Sequence, residues 1–280
     1  MILIADSGAT KADWRLVKAD GSIQQAQTAG ISPFYQTNTQ IAEALRNQLL
    51  PHLPQETVQQ VFFYGTGCST EANVAIVTQG FQAVFPEAHV LVEHDTLAAA
   101  RALCGHQPGI ACILGTGSNA CLYDGTHIAQ STMNLGFFLG DEGSGAVMGR
   151  QLVVAFLHQE MPQHLSDKFA RRFPEVNRET VLENTHRNPF PSRYFAQFSK
   201  FVFDHLADPF CYQLAYDGFQ IFLKRYINTL PDAQTYKVHF VGSVAFYYSN
   251  VLLQACQDLG LRAGNVMESP IAGLTLYHIG

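Results

Sequence analysis

Residues 110–131, IACILGTGSNACLYDGTHIAQS, contain a pattern that occurs twice in the chain and sets its architecture. The apolar run Ile110–Leu114 predicts a buried strand, and the glycine-rich residues 115–119 behind it predict a tight turn. A second strand, a hairpin turn and a third strand then follow at Ala120–Tyr123, Asp124-Gly125 and His127–Ser131. The stretch therefore predicts three hairpin-linked strands, with a glycine-rich turn between the first two.

The same pattern occupies the start of the chain, in residues 2–28, ILIADSGATKADWRLVKADGSIQQAQT. Ile2–Ala5 predicts the first strand, and residues 6–11 predict a polar turn after it. A second strand, a hairpin turn and a third strand follow at Ala12–Lys18, Asp20-Gly21 and Ile23–Thr28. Two copies of one pattern indicate an internal repeat.

Each set of three strands leads into alternating helices and strands. In the first copy we expect helix, strand, helix, strand and helix at about Thr37 or Asn38 to Leu50, Val61–Tyr64, Thr70–Val84, His89–Glu93 and Thr96–Cys104. In the second copy we expect the same order at about Ser144–His158, Lys237–Val241, Ser249–Leu259, Asn265–Met267 and Ile271–His278. Thr37 and Gln40 match a capping box.

This order of elements predicts a mixed α/β sheet in each half of the chain. A chain of 280 residues suits two domains, and we divide it into residues 1–106 and 107–280 because glycine and proline cluster at residues 105–109. A helical insertion at about residues 160–230 interrupts the second domain. Two such domains facing each other would leave a central cleft, which is a common ligand site.

The composition excludes several classes of protein. Apolar residues make up 47% of the chain and charged residues only 14%, the opposite of a disordered segment. The net charge is −6 without a run of Lys or Arg, which argues against a nucleic-acid partner. An anionic nucleotide would therefore be bound by backbone amides and a metal ion rather than by a basic surface.

The cysteines and the apolar runs indicate the compartment. The six cysteines form no CxxC pair and fall mostly in apolar stretches, which predicts reduced thiols in the core: Cys68, Cys104, Cys112, Cys121, Cys211 and Cys256. The first residues lack a basic flank, and no apolar run approaches the ~20 residues that cross a bilayer. We therefore predict a soluble, cytoplasmic protein without a membrane partner.

The two glycine-rich turns are candidates for binding phosphate. In residues 6–11, small residues allow the backbone to approach a phosphate, and Asp6 could hold Mg²⁺, often through water. In residues 115–119, two glycines flank Thr116, so its amide and hydroxyl can point at a phosphate. Either turn alone is equally well an ordinary hairpin turn. Two of them in equivalent places favour a clamp for one polyphosphate.

Three further motifs follow strands. Asp95 ends a buried strand, where a carboxylate could accept a proton from a hydroxyl or could simply cap the next helix. Asp141, in the dense Gly-Asp-Glu-Gly-Ser at 140–144, could bind sugar hydroxyls by charge-assisted hydrogen bonds, while its neighbour Glu142 suits a helix N-terminus. Gly242 and Ser243 could form a flat surface for adenine or ribose, or an ordinary turn.

Together these motifs resemble the BadF/BadG/BcrA/BcrD-type ATPase family and, within it, the N-acetylglucosamine kinases. The resemblance runs from Asp6 to Gly273, and its most specific parts are GTGSN at 115–119 and Gly-Asp-Glu-Gly-Ser at 140–144. It implies two ribonuclease-H-like domains of the actin-like ATPase fold facing a central cleft. It also implies an ATP-dependent, Mg²⁺-requiring kinase that phosphorylates the 6-hydroxyl of an amino sugar, with N-acetylglucosamine as the first candidate.

The resemblance assigns roles to individual residues. Asp95 corresponds to the catalytic base and also contacts the sugar, and Asp6 to the Mg²⁺ site, through water. The positions that match ATP contacts are Ser7, Gly8, Ala9, Thr10, Lys11, Gly115, Thr116, Gly117, Gly242, Ser243 and Val244. The other positions that match sugar contacts are Ser32, Ser118, Asn119, Asn134, Leu135, Gly136 and Asp141. Ser32 replaces the family's usual Asn, which keeps N-acetylmuramic acid and glucosamine as alternative acceptors.

Other interpretations remain open at this point. One is an ATPase that activates a 2-hydroxyacyl-CoA dehydratase through an iron–sulphur cluster, although the second glycine-rich turn lacks the flanking Cys of such activators. Another is a non-catalytic sugar sensor on the same scaffold. The aromatic residues of the insertion favour core packing over a homodimer interface: Tyr194, Phe195, Phe198, Phe201, Phe203, Phe210, Tyr212 and Phe222.

Overall fold

The structure, a computed structural model, describes residues 1–8, 11–54 and 57–280. The chain divides into two compact units. The first unit contains Met1–His106, Gly125–His127 and Pro270–Gly280, and the second contains Gln107–Asp124 and Ile128–Ser269. The C-terminal helix therefore lies in the first unit, whereas the sequence division had placed it in the second domain.

The first unit contains one mixed five-stranded sheet. Its strands are β1 (Ile2–Ser7), β2 (Lys11–Val17), β3 (Ile23–Ala29), β4 (Gln60–Gly65) and β5 (His89–His94), in the order β3-β2-β1-β4-β5. The first three strands are antiparallel, whereas β4 pairs in parallel with β1 and β5 pairs in parallel with β4. The carboxyl ends of β1, β4 and β5 therefore lie at one edge of this sheet, and Asp6, Thr66 and Asp95 lie at or beside them.

The helices of the first unit are α1 (Asn38–Ala44), α2 (Glu71–Gln82), α3 (Asp95–Cys104) and, from the C-terminus, α13 (Ile271–Ile279). Helix α1 continues through a wide turn at Leu45–Leu49 and a tight one at Leu50–His52. The predicted capping box at its start is confirmed. The Thr37 hydroxyl accepts the Gln40 amide at 3.3 Å, and the Gln40 side chain accepts the Thr37 amide at 2.9 Å.

The second unit repeats the sheet of the first. Its strands are β6 (Gly109–Leu114), β7 (Ser118–Tyr123), β8 (Ile128–Ser131), β9 (Lys237–Val241) and β10 (Arg262–Met267), in the order β10-β9-β6-β7-β8. Strands β6, β7 and β8 are antiparallel, whereas β9 is parallel to β6 and to β10. The predicted α/β class and its repeated topology are confirmed.

Most helices of the second unit belong to the insertion. In chain order the helices are α4 (Gly136–Leu139), α5 (Gly145–Leu157), α6 (Gln163–Arg172), α7 (Arg178–His186), α8 (Pro191–Ala196), α9 (Ser199–Asp204), α10 (Pro209–Phe222), α11 (Ser243–Tyr247) and α12 (Ser249–Asp258). A wide helical turn at Leu223–Ile227 follows α10. Helices α4 and α11 were not predicted, because each is too short for a helical period to show in its sequence.

Each unit has its own hydrophobic core. In the first, Trp14, Phe63 and Phe81 are fully buried, with ring centroids 5.2–6.5 Å apart. In the second, aromatic residues of the insertion pack against the sheet, which confirms the core-packing interpretation for Phe195, Phe198, Phe201 and Phe222. All six cysteines are free thiols, and five of them are buried. None of the helices in the described ranges combines the length and apolar content that a bilayer span requires.

Candidate active site

The first glycine-rich turn joins β1 to β2. Ala9 and Thr10, two of its predicted phosphate contacts, lie outside the described residues. Gly8 is exposed, and its amide donates to the Lys11 carbonyl at 3.0 Å, which closes the turn. The side chain of Ser7 is buried and engaged elsewhere, because its hydroxyl accepts the Ile31 amide at 2.9 Å and donates to the Ile31 carbonyl at 3.2 Å. Ser7 therefore fastens a neighbouring loop instead of presenting its hydroxyl to a ligand.

Asp6 lies at the end of β1 in a negative environment. Asp13 is its partner on the antiparallel strand β2, so two carboxylates oppose each other across the pair. Burial raises the pKa of the Asp6 carboxyl to about 7, and the negative charges of Asp13 and Asp95 act in the same direction. Lys11 opposes this effect, and its ammonium group pairs with Asp13 at 2.8 Å. A bound cation would relieve this repulsion.

Asp95 is the first residue of helix α3 but does not cap it. The cap is His94, whose side chain accepts the Leu97 amide at 3.4 Å, so the interpretation of Asp95 as an N-cap is wrong. The half-buried Asp95 carboxylate accepts the hydroxyl of Thr66 at 3.2 Å on one oxygen and that of Thr96 at 3.4 Å on the other. Because His94 caps helix α3, the Asp95 carboxylate is not needed for capping and is available for catalysis.

Thr66 contacts the predicted catalytic residue Asp95 and was not predicted from the sequence. It follows β4 in the triplet Gly65-Thr66-Gly67, the same three residues as Gly115–Gly117 in the second unit. Gly67 has φ 88°, and a side chain there would meet the ring of Phe34 at 2.7 Å. This repeated triplet behind a strand was the signal that could have identified the turn.

The second glycine-rich turn, residues 115–117, joins β6 to β7 and abuts helix α5. Two of its carbonyls cap that helix, since Gly115 accepts the Gly145 amide at 2.9 Å and Thr116 accepts the Ala146 amide at 3.1 Å. Within the described ranges, the amides of Thr116 and Gly117 donate to no acceptor. Adjacent unpaired amides attract an anion, so the turn suits a phosphate group.

Asp141 organises a second group of predicted residues. Its carboxylate is buried and accepts the Ser118 amide at 3.0 Å and the Asn134 side-chain amide at 2.7 Å. Asn134 also donates to the Ser118 carbonyl and accepts the Gly136 amide at 2.8 Å. Asp141 has φ 57°, a conformation that a non-glycine residue adopts only at a cost. The structure therefore brings Ser118, Asn134, Gly136 and Asp141 together.

The two remaining predicted sugar contacts of the second unit differ in exposure. The side chain of Asn119, on β7, accepts the amide of Ala120 at 2.9 Å, which fixes its orientation. Leu135 is 58% exposed and makes no part of the core. Leu135 is thus free to contact a ligand, whereas Asn119 is held by its own strand.

Two of the predicted sugar contacts have buried hydroxyl groups without a hydrogen-bond partner in the described ranges. The hydroxyls of Ser32, in the first unit, and Ser118, in the second, are buried and have no partner in the described part of the chain. An unsatisfied buried hydroxyl costs about 1–3 kcal/mol, which a ligand or a water molecule would offset. Both residues were predicted from the sequence to contact the sugar.

The side chains of Glu142 and Ser144, which follow Asp141, make contacts that stabilise the fold. The Ser144 hydroxyl caps helix α5 by accepting the Val147 amide at 3.3 Å. Glu142 forms an ion pair with Arg225 and accepts the Tyr226 hydroxyl at 2.5 Å. The sequence suggested that Glu142 interacts with the N-terminus of the helix. Its side chain instead contacts Arg225 and Tyr226 of the insertion.

The turn after β9 packs on the second glycine-rich turn. Gly242 has φ 121°, and any side chain there would collide with the Leu114 carbonyl. Its amide donates to the Met267 carbonyl at 3.0 Å, and helix α11 then begins at Ser243. Ser243 is exposed and Val244 is buried. The three predicted adenosine residues thus lie beside the turn that suits a phosphate.

Comparison with known proteins places this geometry in context. No known family profile matches the chain, and no curated protein matches it. A solved structure of a candidate N-acetylglucosamine kinase from Porphyromonas gingivalis is 42% identical and superposes with a TM-score of 0.93, over 99% of this chain and 98% of that one.

Two further solved structures share the fold at lower identity. A candidate N-acetylglucosamine kinase from Chromobacterium violaceum is 19% identical with a TM-score of 0.73, over 99% of this chain and 98% of that one. A candidate sugar kinase from Cytophaga hutchinsonii is 14% identical with a TM-score of 0.59, over the full length of both chains. The similarity therefore covers the whole chain rather than one unit.

Proposed function

The chain belongs to the BadF-type sugar kinases of the actin-like ATPase superfamily, and from that membership we propose that it transfers the γ-phosphate of ATP to the 6-hydroxyl of an amino sugar. N-acetylglucosamine is the favoured acceptor, because the 42% identical protein is a candidate kinase for that sugar. The enzyme class is established at the level of a sugar kinase. The sugar and the hydroxyl are our proposals.

The observation that supports the proposal is the set of unpaired polar groups in residues 115–118. The amides of Thr116 and Gly117 have no acceptor within the described ranges. The next residue, Ser118, donates its amide to Asp141 and has a buried hydroxyl without a described partner. Groups suited to phosphate oxygens and groups suited to sugar hydroxyls are thus adjacent in one turn. Phosphoryl transfer depends mainly on such positioning.

In the proposed reaction, Asp95 accepts the proton of the 6-hydroxyl as the sugar oxygen attacks the γ-phosphorus. The bond from that phosphorus to the β–γ bridging oxygen breaks, and ADP leaves with the electron pair. The Thr66 hydroxyl, 3.2 Å from Asp95, orients the carboxylate for this task. The exocyclic 6-hydroxyl is the least hindered hydroxyl of a hexose, so a fixed sugar ring still lets it reach the phosphate.

The first unit fits a magnesium ion at Asp6. The pKa of the Asp6 carboxyl is raised to about 7 by burial and by the charges of Asp13 and Asp95, a field that a cation would neutralise. Within the described ranges, no three His, Cys, Asp or Glu side chains are grouped to hold a metal by themselves. Mg²⁺ keeps water and phosphate oxygens as ligands, so one protein carboxylate can hold it. When bound with ATP, Mg²⁺ would neutralise charge that develops on the phosphates.

The acceptor is bound, in this proposal, by the Asp141 group of the second unit. Asp141 provides a carboxylate held by Ser118 and Asn134, and its second oxygen has no hydrogen bond within the described ranges. It can therefore accept a sugar hydroxyl or an acetamido N–H. Ser32 is shorter than the Asn usual at its position, so N-acetylmuramic acid and glucosamine remain the alternative acceptors.

The cysteines do not support the dehydratase-activator alternative. Cluster formation requires accessible thiolates. Burial raises the pKa of the thiols of Cys68, Cys211 and Cys256 to about 12. Cys112, next to the second glycine-rich turn, is fully buried in the core of the second unit. These thiols are core residues.

An assay of ATP consumption over a panel of sugars tests the proposal. The panel contains N-acetylglucosamine, glucosamine, N-acetylmuramic acid, N-acetylmannosamine and glucose, with Mg²⁺ present. We expect the highest kcat/KM with N-acetylglucosamine, and a product whose carbon 6 shows coupling to phosphorus in the NMR spectrum. Phosphate on the anomeric oxygen, or no turnover with any amino sugar, would overturn the proposal.

A further inference from the structure

The loop that carries Asp141 has an unfavourable backbone conformation. Asp141 has φ 57°, in the left-handed region, and Gly143 follows with φ 72°. The Ser144 amide donates to the Asp141 carbonyl at 3.1 Å, which closes the loop before helix α5 begins. A non-glycine residue keeps such a conformation only where its surroundings impose it. Residues outside the loop must therefore hold the Asp141 carboxylate at Ser118 and Asn134.

The residue after Asp141, Glu142, is held by the wide helical turn at Leu223–Ile227. Arg225 forms an ion pair with Oε1 of Glu142, and the Tyr226 hydroxyl donates to Oε2 at 2.5 Å. The Glu142 side chain is only 13% exposed. A carboxylate so far removed from water needs such partners, and hydrogen bonds to a charged group are about twice as strong as neutral ones. One turn of the insertion thus satisfies both oxygens of Glu142.

Tyr226 also lies against the backbone of Asp141 and of the residue before it. A side chain at Gly140 would come within 3.1 Å of the Tyr226 hydroxyl. Burial raises the pKa of the Tyr226 phenol, the charge of Arg225 lowers it, the charge of Asp141 raises it, and a hydrogen bond from the Asp141 backbone lowers it. Tyr226 is 4% exposed, so its hydroxyl is enclosed beside three consecutive residues, 140–142.

The far end of the loop packs on helix α10, which leads into the wide turn. A side chain at Gly143 would come within 3.0 Å of the Phe222 side chain and 3.3 Å of the Gly218 carbonyl. The loop is therefore enclosed at both ends by α10 and the turn that follows it.

The backbone of the wide turn suits this contact. Leu223–Ile227 winds more widely than an α-helix, and single turns of this kind are rare and frequently occur at functional sites. More residues per turn bring adjacent side chains closer in direction, and the adjacent residues Arg225 and Tyr226 reach the same carboxylate. The turn thus presents an ion pair and a hydrogen bond to one residue of the loop.

We infer that Arg225 and Tyr226 are positioning residues for the sugar site, because they hold Glu142 and thereby keep the neighbouring Asp141 carboxylate in place. The inference rests on the proposed function, since it takes Asp141 to bind the acceptor. Neither residue is assigned a contact with the sugar or the nucleotide. Loss of either contact should weaken sugar binding and leave nucleotide binding unchanged.

Steady-state kinetics of three variants with Mg·ATP and N-acetylglucosamine test the inference. Tyr226→Phe removes only the hydroxyl, and Arg225→Met removes the charge but keeps the stem. Each should raise the KM for the sugar by about tenfold, with the KM for ATP within about twofold of the wild type. Arg225→Lys keeps a cation for Glu142 and should recover most of the loss. An equal rise in both KM values would indicate general disorder and would contradict the inference.

A matched control lies on the same helix. The Tyr216 hydroxyl, on α10, donates to the Asp258 carboxylate at 2.6 Å, so Tyr216→Phe also removes a bond between a tyrosine and a carboxylate. This variant should change neither KM. If Tyr216→Phe raises the sugar KM as much as Tyr226→Phe does, the effect does not depend on the Asp141 loop and the inference fails.

A double variant tests whether Tyr226 acts through Asp141. A side chain at Gly117 would come within 3.0–3.2 Å of the Asp141 carboxylate, so Gly117→Ala displaces it directly. In that background Tyr226→Phe should raise the sugar KM by less than about twofold, because residues that act through one group are not additive. A full tenfold effect there would show that Tyr226 acts independently of Asp141 and would overturn the inference.

Hydrogen exchange separates this inference from the proposed function. The Ser118 amide donates to Asp141 at 3.0 Å, so its exchange should be about tenfold faster in Tyr226→Phe and Arg225→Met, while β9 is unchanged. If Ser118 responds in this way but the wild type phosphorylates no sugar, the kinase proposal fails and the positioning of Asp141 stands. If sugar is phosphorylated but both Ser118 exchange and the sugar KM stay at wild-type values, the kinase proposal stands and this inference fails.

Discussion

The residue Asp95 shows how a single local contact separates a structural role from a chemical one. Helix α3 begins at Asp95, and an aspartate in that place would ordinarily be assigned to the cap. His94 accepts the amide of Leu97 instead, and Thr66 binds one oxygen of the Asp95 carboxylate. Changing the charge of Asp95 should therefore affect catalysis more than the stability of α3.

Asp95→Asn tests this separation. We expect kcat to fall by about 10²–10⁴, because the amide cannot accept the proton of the sugar hydroxyl, while sugar and nucleotide still bind. Steady-state kinetics and calorimetry measure the two effects, and the melting temperature should change little. Asp167→Asn, on the exposed surface of α6, is the control. A folded Asp95→Asn variant with wild-type turnover would show that Asp95 is not the base.

A matched pair of glycines tests the Asp141 group. A methyl group at residue 117 would come within 3.0–3.2 Å of the Asp141 carboxylate, whereas one at residue 115 would meet nothing within 4 Å. Gly117→Ala should therefore displace Asp141 and raise the KM for the sugar by about tenfold or more. Gly115→Ala should raise it much less. Equal sugar KM values for the two variants would remove Asp141 from the sugar site.

At the scale of elements, the C-terminal helix α13 is docked by contacts that no local pattern predicts. Gly273 approaches the Ala102 carbonyl of α3 so closely that a side chain would collide. Near its end, the His278 ring stacks on Phe62 at 3.7 Å and hydrogen-bonds the Tyr64 hydroxyl at 2.8 Å. Burial of the imidazole, and then the charge of Arg101, lower the pKa of His278 to about 4.

This lowered pKa predicts an acid-sensitive stability. The folded protein holds His278 neutral, so unfolding takes up a proton at pH values between about 4 and the unfolded value of 6.5. The contribution of His278 to stability is therefore complete above pH 6.5 and is lost as the pH falls toward 4. His278→Gln removes the titration, so its melting temperature should fall less than that of the wild type between pH 7 and 4.5.

Melting curves at several pH values measure this difference. For a unit of this size, each kcal/mol shifts the melting temperature by about 2–8 °C, so a shift of a few degrees is resolvable. His158→Gln, which changes an exposed histidine after α5, is the control and should follow the wild type. Parallel pH curves for the wild type and His278→Gln would contradict the prediction.

At the scale of the whole molecule, the two units have separate cores although the chain crosses between them. Buried residues of α13 join a cluster with β1, β4 and α3, so the last residues of the chain complete the unit that contains the first. The second unit has its own cluster, built from its sheet and the insertion. A substitution that destabilises α13 should therefore lower the stability of the first unit.

Two leucines of α13 test this division. Leu274 is fully buried, whereas Leu276 is 69% exposed on the same helix. Leu274→Ala should cost about 2–5 kcal/mol and speed hydrogen exchange in residues 1–106, while exchange in residues 128–269 stays unchanged. Leu276→Ala should change neither. Equal acceleration in both units would show that they unfold together.

Much of the fold could be predicted because its signals are local. The alternation at Ala12–Lys18, the capping box at Thr37 and the turns at Asp20-Gly21 and Asp124-Gly125 depend on neighbours within a few residues. The repeat of these signals was enough to establish two α/β units with the same topology. The candidate site was predictable to the extent that glycines and carboxylates follow the strands.

Contacts between residues far apart in the sequence were decided only by the tertiary structure. The Ser7 hydroxyl accepts the Ile31 amide, and the Thr66 hydroxyl donates to Asp95. Glu142 forms an ion pair with Arg225 and accepts the Tyr226 hydroxyl. The C-terminal helix joins the first unit for the same reason, since burial of Ile271 and Leu274 depends on a surface made by β1, β4 and α3. A side chain's role depends on which partners lie within a few ångströms, and packing alone brings those partners together.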